Sequence, residues 1–229
     1  MPSELHLALC LEGPLQSWGF EDRFNRRKTA LLPTKSALIG LCCAALGAAR
    51  GSEREQTWLP RLNALRCLVI ALPRCVQRGD KQVPLTVRRM EDYHTVLDTR
   101  SAEKPNLKDN AVLTYRTFLN DARFAVVLSG AAETVRDLAA ALQNPVWGIW
   151  LGRKACIPSA PVFREVFDTE EDALNHLLEG QPLTDFTRQR DAAEFGKGTD
   201  TFMDTPESFG PQRQFSPRRV LLRREGEPE

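Results

Sequence analysis

Three histidines, and six cysteines with no CxxC pair among them, leave this 229-residue chain without the usual makings of a zinc site. No Walker loop, GxSxG elbow or paired-carboxylate motif is present either. An excess of one charge is also missing. Lysine and arginine number 31 against 30 acidic residues, a net charge of +1. Composition alone therefore announces no nucleic-acid binder, and any basic surface has to come from uneven distribution. The apolar stretch Leu5–Leu11 is too short to span a bilayer and follows no basic leader, so neither a membrane segment nor a secretory signal is expected. Cys10 and Cys67 lie inside apolar runs and read as buried thiols, a usage that fits a reducing cytoplasm.

What is present is enough for a core. Hydrophobic residues make up 42% of the chain, and the length suits one large domain or a domain with a smaller module. Leu5, Leu7, Leu9 and Leu11 alternate with His6, Ala8 and Cys10 as a period-two strand that ends at Gly13-Pro14. A helix is predicted from Thr34, its cap, just after Pro33. Ala37, Leu38, Leu41, Cys42, Ala45 and Leu46 form its buried face, and Ser36, Gly40 and Ala44 form a stripe of small residues that permits close approach of another backbone. Cys67–Leu72 reads as a central strand, Ala122–Ser129 as a third, and Val146–Leu151 as a fourth. Val135, Leu138, Ala139 and Leu142 mark a second amphipathic helix before that fourth strand.

The order strand, helix, strand, strand, helix, strand predicts an α+β, ferredoxin-like βαββαβ body over residues 1–157. Between its second and third strands about fifty residues intervene, roughly 73–121, where a short turn would suffice. We expect a projecting hairpin or arm there. Residues 158–229 change composition: 168–194 are acidic, and 208–224 hold five arginines and no acid. A small β-rich C-terminal module is expected.

Several positions have the chemistry of RNA contact. The turn Gly13–Gly19 holds Gln16 and Trp18; the tryptophan either stacks on a base or packs in the core, and packing is the commoner fate. Lys35 stands in the first turn of the predicted helix, where a cation opposes the macrodipole at a cost of about 0.3–1 kcal/mol. A phosphate held by free N–H groups, the Ser36 hydroxyl and Lys35 removes that conflict; a merely solvated lysine is the alternative. Arg26, Arg27 and Lys28 form a charge run that is either solvated surface or part of the same site. In the insertion, Arg88, Arg89, Arg100, Lys104, Lys108 and Arg116 interleave with Tyr93, His94, Tyr115 and Phe118. Cations that track a backbone and rings that stack on bases are what a single strand needs. Gly152-Arg153-Lys154 adds two cations after the fourth strand. His94 is the one histidine considered for acid–base work, and it has no second histidine to partner it.

Six segments, in order, resemble the CasD family, the RAMP-type fifth subunit of type I-E CRISPR Cascade. They are the GPLQSWG turn at 13–19, PTKSALIGLCCAALG at 33–47, DYHTVL at 92–97, LTYRTFLNDARFAVVL at 113–128, WLGRKACIPSAPVF at 150–163 and RQF at 213–215. The resemblance implies an RRM-like RAMP body with a protruding thumb, corresponding to the insertion. It also implies a subunit without catalysis or cofactor. Its expected role is to bind the 5′ handle of the guide RNA (crRNA), cap a backbone of repeated RAMP subunits and help seat the large subunit near the PAM of target DNA. The residues expected to touch RNA are Gln16, Trp18, Arg26, Arg27, Lys28, Lys35, Ser36, His94, Arg100, Lys108, Tyr115, Arg116, Arg153 and Lys154, with no metal ligand among them. A sister subtype uses a related subunit as a metal-independent endoribonuclease, and that is the alternative reading.

Overall fold

The computed structural model describes residues 2–19, 25–85, 87–98 and 111–228. Strand β1 (Glu4–Glu12) is followed by four strands of two residues each: β2 (Leu15–Gln16), β3 (Trp18–Gly19), β4 (Arg26–Arg27) and β5 (Thr29–Ala30). Helices α1 (Lys35–Leu46) and α2 (Glu53–Asn63) lead to β6 (Arg66–Ala71). Two hairpins come next, β7 (Arg74–Arg78) with β8 (Lys81–Leu85), and β9 (Arg88–Val96) with β10 (Val112–Asn120). Strand β11 (Arg123–Ala131), α3 (Ala132–Gln143), β12 (Phe163–Phe167) and α4 (Glu170–Leu178) follow. The chain closes with β13 (Arg188–Asp191), β14 (Asp200–Ser208) and β15 (Gln214–Arg223).

The main sheet has the order β12-β1-β11-β6-β13-β15-β14. Alternation along its central strands sorts side chains onto two faces. Leu5, Leu7, Leu9 and Leu11 of β1 share one core with Cys67, Val69, Phe124, Val126 and Leu128, closed by α1 and α3. Ala8, Leu68, Ile70, Ala125 and Val127 point the other way and are covered by Ala173, Leu177 and Leu178 of α4. Strand β1 is therefore buried on both faces, more than a simple alternating strand requires. His6 tolerates this because its Nδ1 lies 2.8 Å from the Ser129 Oγ. Cys10 and Cys67 are buried as expected. Burial pushes the Cys67 thiol up to about 12, with nearby Asp191 adding to the effect.

Helix α1 begins where the sequence places it: the Thr34 hydroxyl accepts from the Ala37 N–H at 3.3 Å. Its partner α2 has a local signal in the Ser52-x-x-Glu55 capping pattern. The Ser52 Oγ accepts from the Glu55 N–H, while the buried Glu55 carboxylate takes the N–H groups of Gly51 and Phe209.

Two expectations are corrected. Val146–Leu151 is not a strand. Its backbone is used irregularly: Val146 and Trp147 donate to the Ala45 and Ala44 carbonyls at the end of α1, and Leu151 donates to the Cys156 carbonyl and accepts from the Ser17 N–H. The run is apolar because Leu151 is buried while Trp147 and Trp150 line a cleft. The strand that follows α3 is β12, at the β1 edge. The C-terminal residues are β-rich but do not stand apart: β13 pairs with β6, so β13, β15 and β14 continue the body's own sheet.

The insertion is two antiparallel hairpins. The second is rooted in the body, where Phe118 and Leu119 are buried and β10 pairs with β2. It runs outward from there to Val96 and Val112. Arg100, Lys104 and Lys108, together with Phe20–Phe24 of the first basic loop, lie outside the described residues.

Candidate nucleic-acid interface

Two distant loops meet at Ser17 and Gly152. The Ser17 N–H donates to the Leu151 carbonyl at 3.1 Å, and its hydroxyl donates to the Thr117 carbonyl of β10 at 3.1 Å. Gly152 has φ +94°, and a Cβ there would sit 1.8 Å from the Ser17 carbonyl oxygen, so only glycine fits. The next residue exploits this contact. The Arg153 Nε donates to the Ser17 Oγ at 2.8 Å, Nη2 donates to the Arg27 carbonyl at 3.1 Å, and the guanidinium lies 5.4 Å from the Phe118 ring centroid.

Through these bonds Arg153 joins β10 and β4 into one ridge. Strand β4 runs parallel to β10, with Arg26 beside Tyr115 and Arg27 beside Arg116, and the Tyr115 N–H is anchored on the Asn25 carbonyl at 2.7 Å. Alternation then sends the two arginines to opposite faces. Arg26 covers the Tyr115 ring at 4.8 Å. Arg27 shares its face with half-buried Arg116, whose cross-strand neighbour is Asp92. Arg26, Arg27 and Lys28 are exposed. The structure thus brings Arg26, Arg27, Tyr115, Arg116 and Arg153 together.

On the other side of the Ser17–Gly152 contact opens a cleft of about 850 Å³. The stripe Ser36, Gly40 and Ala44 of α1 forms one wall and Thr201–Asp204 of β14 another. Lys154, Arg50 and Arg213 supply cations, and Trp147 and Trp150 supply partly exposed rings. The cleft lining combines cations with aromatic rings, chemistry suited to a base and its phosphate. Neither Arg50 nor Trp147 stands out in sequence, because what unites them is the end of α1 and the loop after α3.

Three predicted contacts are corrected. Gln16 is fully buried, and its Nε2 donates to the carbonyls of Leu11 and Ala122, tying the turn to the body. Trp18 is fully buried edge-on to Phe124 at 6.4 Å. Lys35 is buried, and its Nζ donates to Asp191 Oδ2 and the Leu65 carbonyl, both at 2.9 Å, while its N–H donates to Asp204. Arg218 closes the set, bonding Asp191 through Nη1 and gripping Asp204 with Nε at 2.7 Å and Nη2 at 2.9 Å. Burial alone lowers the Arg218 pKa, but hydrogen bonds and charge from Asp204 and Asp191 hold it above the ordinary arginine range. The macrodipole conflict at Lys35 is resolved by protein carboxylates, not phosphate. Ser36 remains at the cleft wall, 3.3 Å from the Thr34 hydroxyl.

His94 is exposed on β9, with Nδ1 3.5 Å from Asp92 Oδ2. Tyr93 and His94, as adjacent strand residues, face opposite sides and cannot converge on one 2′-hydroxyl. Among the described residues no cluster of three or more histidine, cysteine or carboxylate ligands is present, and no helix is long and apolar enough to cross a membrane.

Comparison with known proteins agrees with this architecture. The model of the CRISPR-associated protein family Cas_Cas5 matches residues 6–221. The "CRISPR system Cascade subunit CasD" of Escherichia coli K12 is 34% identical over 179 residues, covering 75% of this chain and 76% of that protein. A chain of a solved "CRISPR RNA-guided surveillance complex" superposes with a TM-score of 0.71 at 25% identity, covering 95% of this chain and 88% of that one. A "Cas protein" crystal structure gives 0.65 at 30% identity, covering 97% and 100%. With residues 6–221 matched by the family model, the chain belongs to the CRISPR-associated Cas5 family.

Proposed function

We propose that this chain is a subunit of a type I-E Cascade surveillance complex that grips the 5′ handle of crRNA and leaves it uncut. The observation that carries the reading is the ridge of Arg26, Arg27 and Arg153 beside a cleft rimmed by Lys154, in a chain whose net charge is only +1. Local basicity of this kind serves phosphate contacts, while the rings of the cleft serve unstacked bases. Kinship with the Cascade subunit CasD supports membership of such a complex; its place of work in this reading is the cytoplasm, in antiviral defence. In this reading the body is ferredoxin-like, since β12, β1, β11 and β6 lie in the order fourth, first, third, second of a βαββαβ unit. The β9–β10 hairpin is the thumb. It meets the neighbouring backbone subunit and interrupts guide–target pairing, while the rest of the surface caps the backbone and helps seat the large subunit near the PAM.

Titration of handle RNA against the purified chain at several salt concentrations tests the contacts. Arg26→Ala with Arg27→Ala is expected to weaken binding and flatten the slope of log affinity against log salt by about 0.7 for each phosphate contact removed. An unchanged slope would remove the ridge from the RNA path.

The absence of catalysis has a separate test. Repeat RNA incubated with the chain in EDTA is expected to stay intact, and His94→Ala is expected to change nothing. Cleavage that disappears in His94→Ala would establish the endoribonuclease reading instead, with Asp92 orienting the imidazole.

A further inference from the structure

Three strands place a row of an arginine and two tyrosine rings along the second hairpin and the short strand beside it. Tyr115 of β10 is flanked in register by Arg26 of β4 on one side and Tyr93 of β9 on the other. The Arg26 guanidinium lies 4.8 Å from the Tyr115 centroid, and the Tyr93 ring lies 5.2 Å from it at a tilt of 55°. Tyr115 in the middle is half-buried, but Tyr93 is 55% exposed. A tyrosine on a solvated hairpin gains little from such exposure, and its ring already packs against Tyr115, so little entropy is lost when something settles on its free side.

We infer that Tyr93 is a stacking platform for one unpaired nucleobase, with Tyr115 and Arg26 as the backing that holds the ring in place. The inference rests on the RNA-binding reading above and adds to it a residue and a ligand class. The neighbours specify a base rather than a phosphate. Glu91, two residues along on the same face as Tyr93, is exposed and repels a phosphate set directly against the ring. The next residue on that face is exposed Arg89, which supplies a cation further along the hairpin. A neutral π-face beside an acid, with an arginine further along the same face, matches a base joined to its own sugar–phosphate link. Stacking of this kind is tolerant of sequence because every base has a π-face.

The test uses handle RNA in which 2-aminopurine replaces one base at a time. With the wild-type chain, one position is expected to show quenching from stacking. Tyr93→Phe keeps the ring and should keep both the quench and the affinity. Tyr93→Ala should abolish the quench and weaken binding by roughly 5- to 150-fold, the range for loss of one stacked base. An abasic nucleotide at that position should bring wild type and Tyr93→Ala to equal affinity. If wild type binds RNA and Tyr93→Ala binds it equally well, the platform is refuted while the RNA-binding reading stands. The platform is likewise refuted if Tyr93→Ala impairs only association with the backbone subunit. If wild type binds no RNA, both fall. Thermal unfolding of Tyr93→Ala, expected to match wild type because the ring is half exposed, separates loss of stacking from loss of fold.

Discussion

Asp191→Ala is expected to cost about 3–5 kcal/mol of folding stability, a fall in melting temperature of about 6–20 °C for a chain of this size. The carboxylate stands between two buried cations, Lys35 and Arg218, whose side chains are each 9% exposed. With Asp204 the set holds two positive and two negative groups, a neutral whole. Removing Asp191 leaves an excess cation where water cannot solvate it, and it also orphans the Cys67 N–H, which donates to Asp191 Oδ2 at 3.1 Å. Desolvation, not loss of attraction, sets the magnitude. Adding Lys35→Met removes the unpaired charge and should recover part of the loss, a coupling of about 0.5–3 kcal/mol in a double-mutant cycle. Urea unfolding with an unchanged slope would read this as stability alone. A cost below about 1 kcal/mol would show that the four groups are solvated instead. The cluster also fixes the cleft, since its members come from α1, β13, β14 and β15, and Asp204 lies in the cleft wall.

That cluster marks the border of what the sequence discloses. The start of α1 is legible because Pro33 and Thr34 are local signals and the cap bond spans three residues. Cys67–Leu72 is legible because a strand buried on both faces must be apolar throughout. Lys35 misleads because its partner Asp191 lies 156 positions further on, and no periodicity connects them. Without that partner, a lysine at a helix start invites an external anion. Val146–Leu151 misleads for a different reason. Hydrophobicity records removal from water or readiness for a ligand without distinguishing them, and Trp147 and Trp150 face a cleft. Gln16 and Trp18 sit in a turn whose residues also suit a ligand, but Gln16 bonds back to the Ala122 carbonyl and Trp18 packs edge-on to Phe124, and both are buried. The exposed cations of the ridge were legible as residues, but not as a group. Arg26, Tyr115 and Arg153 become neighbours only through a parallel strand pair of two residues and a single guanidinium.

Gly152→Ala is expected to destabilise the chain by roughly 2–5 kcal/mol, combining a positive φ with overpacking. The added methyl would sit 1.8 Å from the Ser17 carbonyl oxygen and 2.8 Å from its carbon, and both are backbone atoms that no rotamer change moves aside. Relief requires the two loops to part, which breaks the Ser17–Leu151 hydrogen bond and draws Arg153 off the Ser17 hydroxyl and the Arg27 carbonyl. Gly180→Ala is the control: its φ is +77° with nothing within 4 Å of the added methyl, so it carries only the conformational cost, about 1–2 kcal/mol. The difference between the variants isolates the clash. Because Arg153 ties β4 to β10, handle RNA should bind Gly152→Ala more weakly than Gly180→Ala, with a flatter salt slope, at temperatures where both remain folded. Equal affinity in the two variants would mean that Arg153 braces the ridge without helping to form the RNA path. Equal stability would mean that the Ser17–Gly152 contact yields at no cost, and the ridge would then lose its rigid foundation.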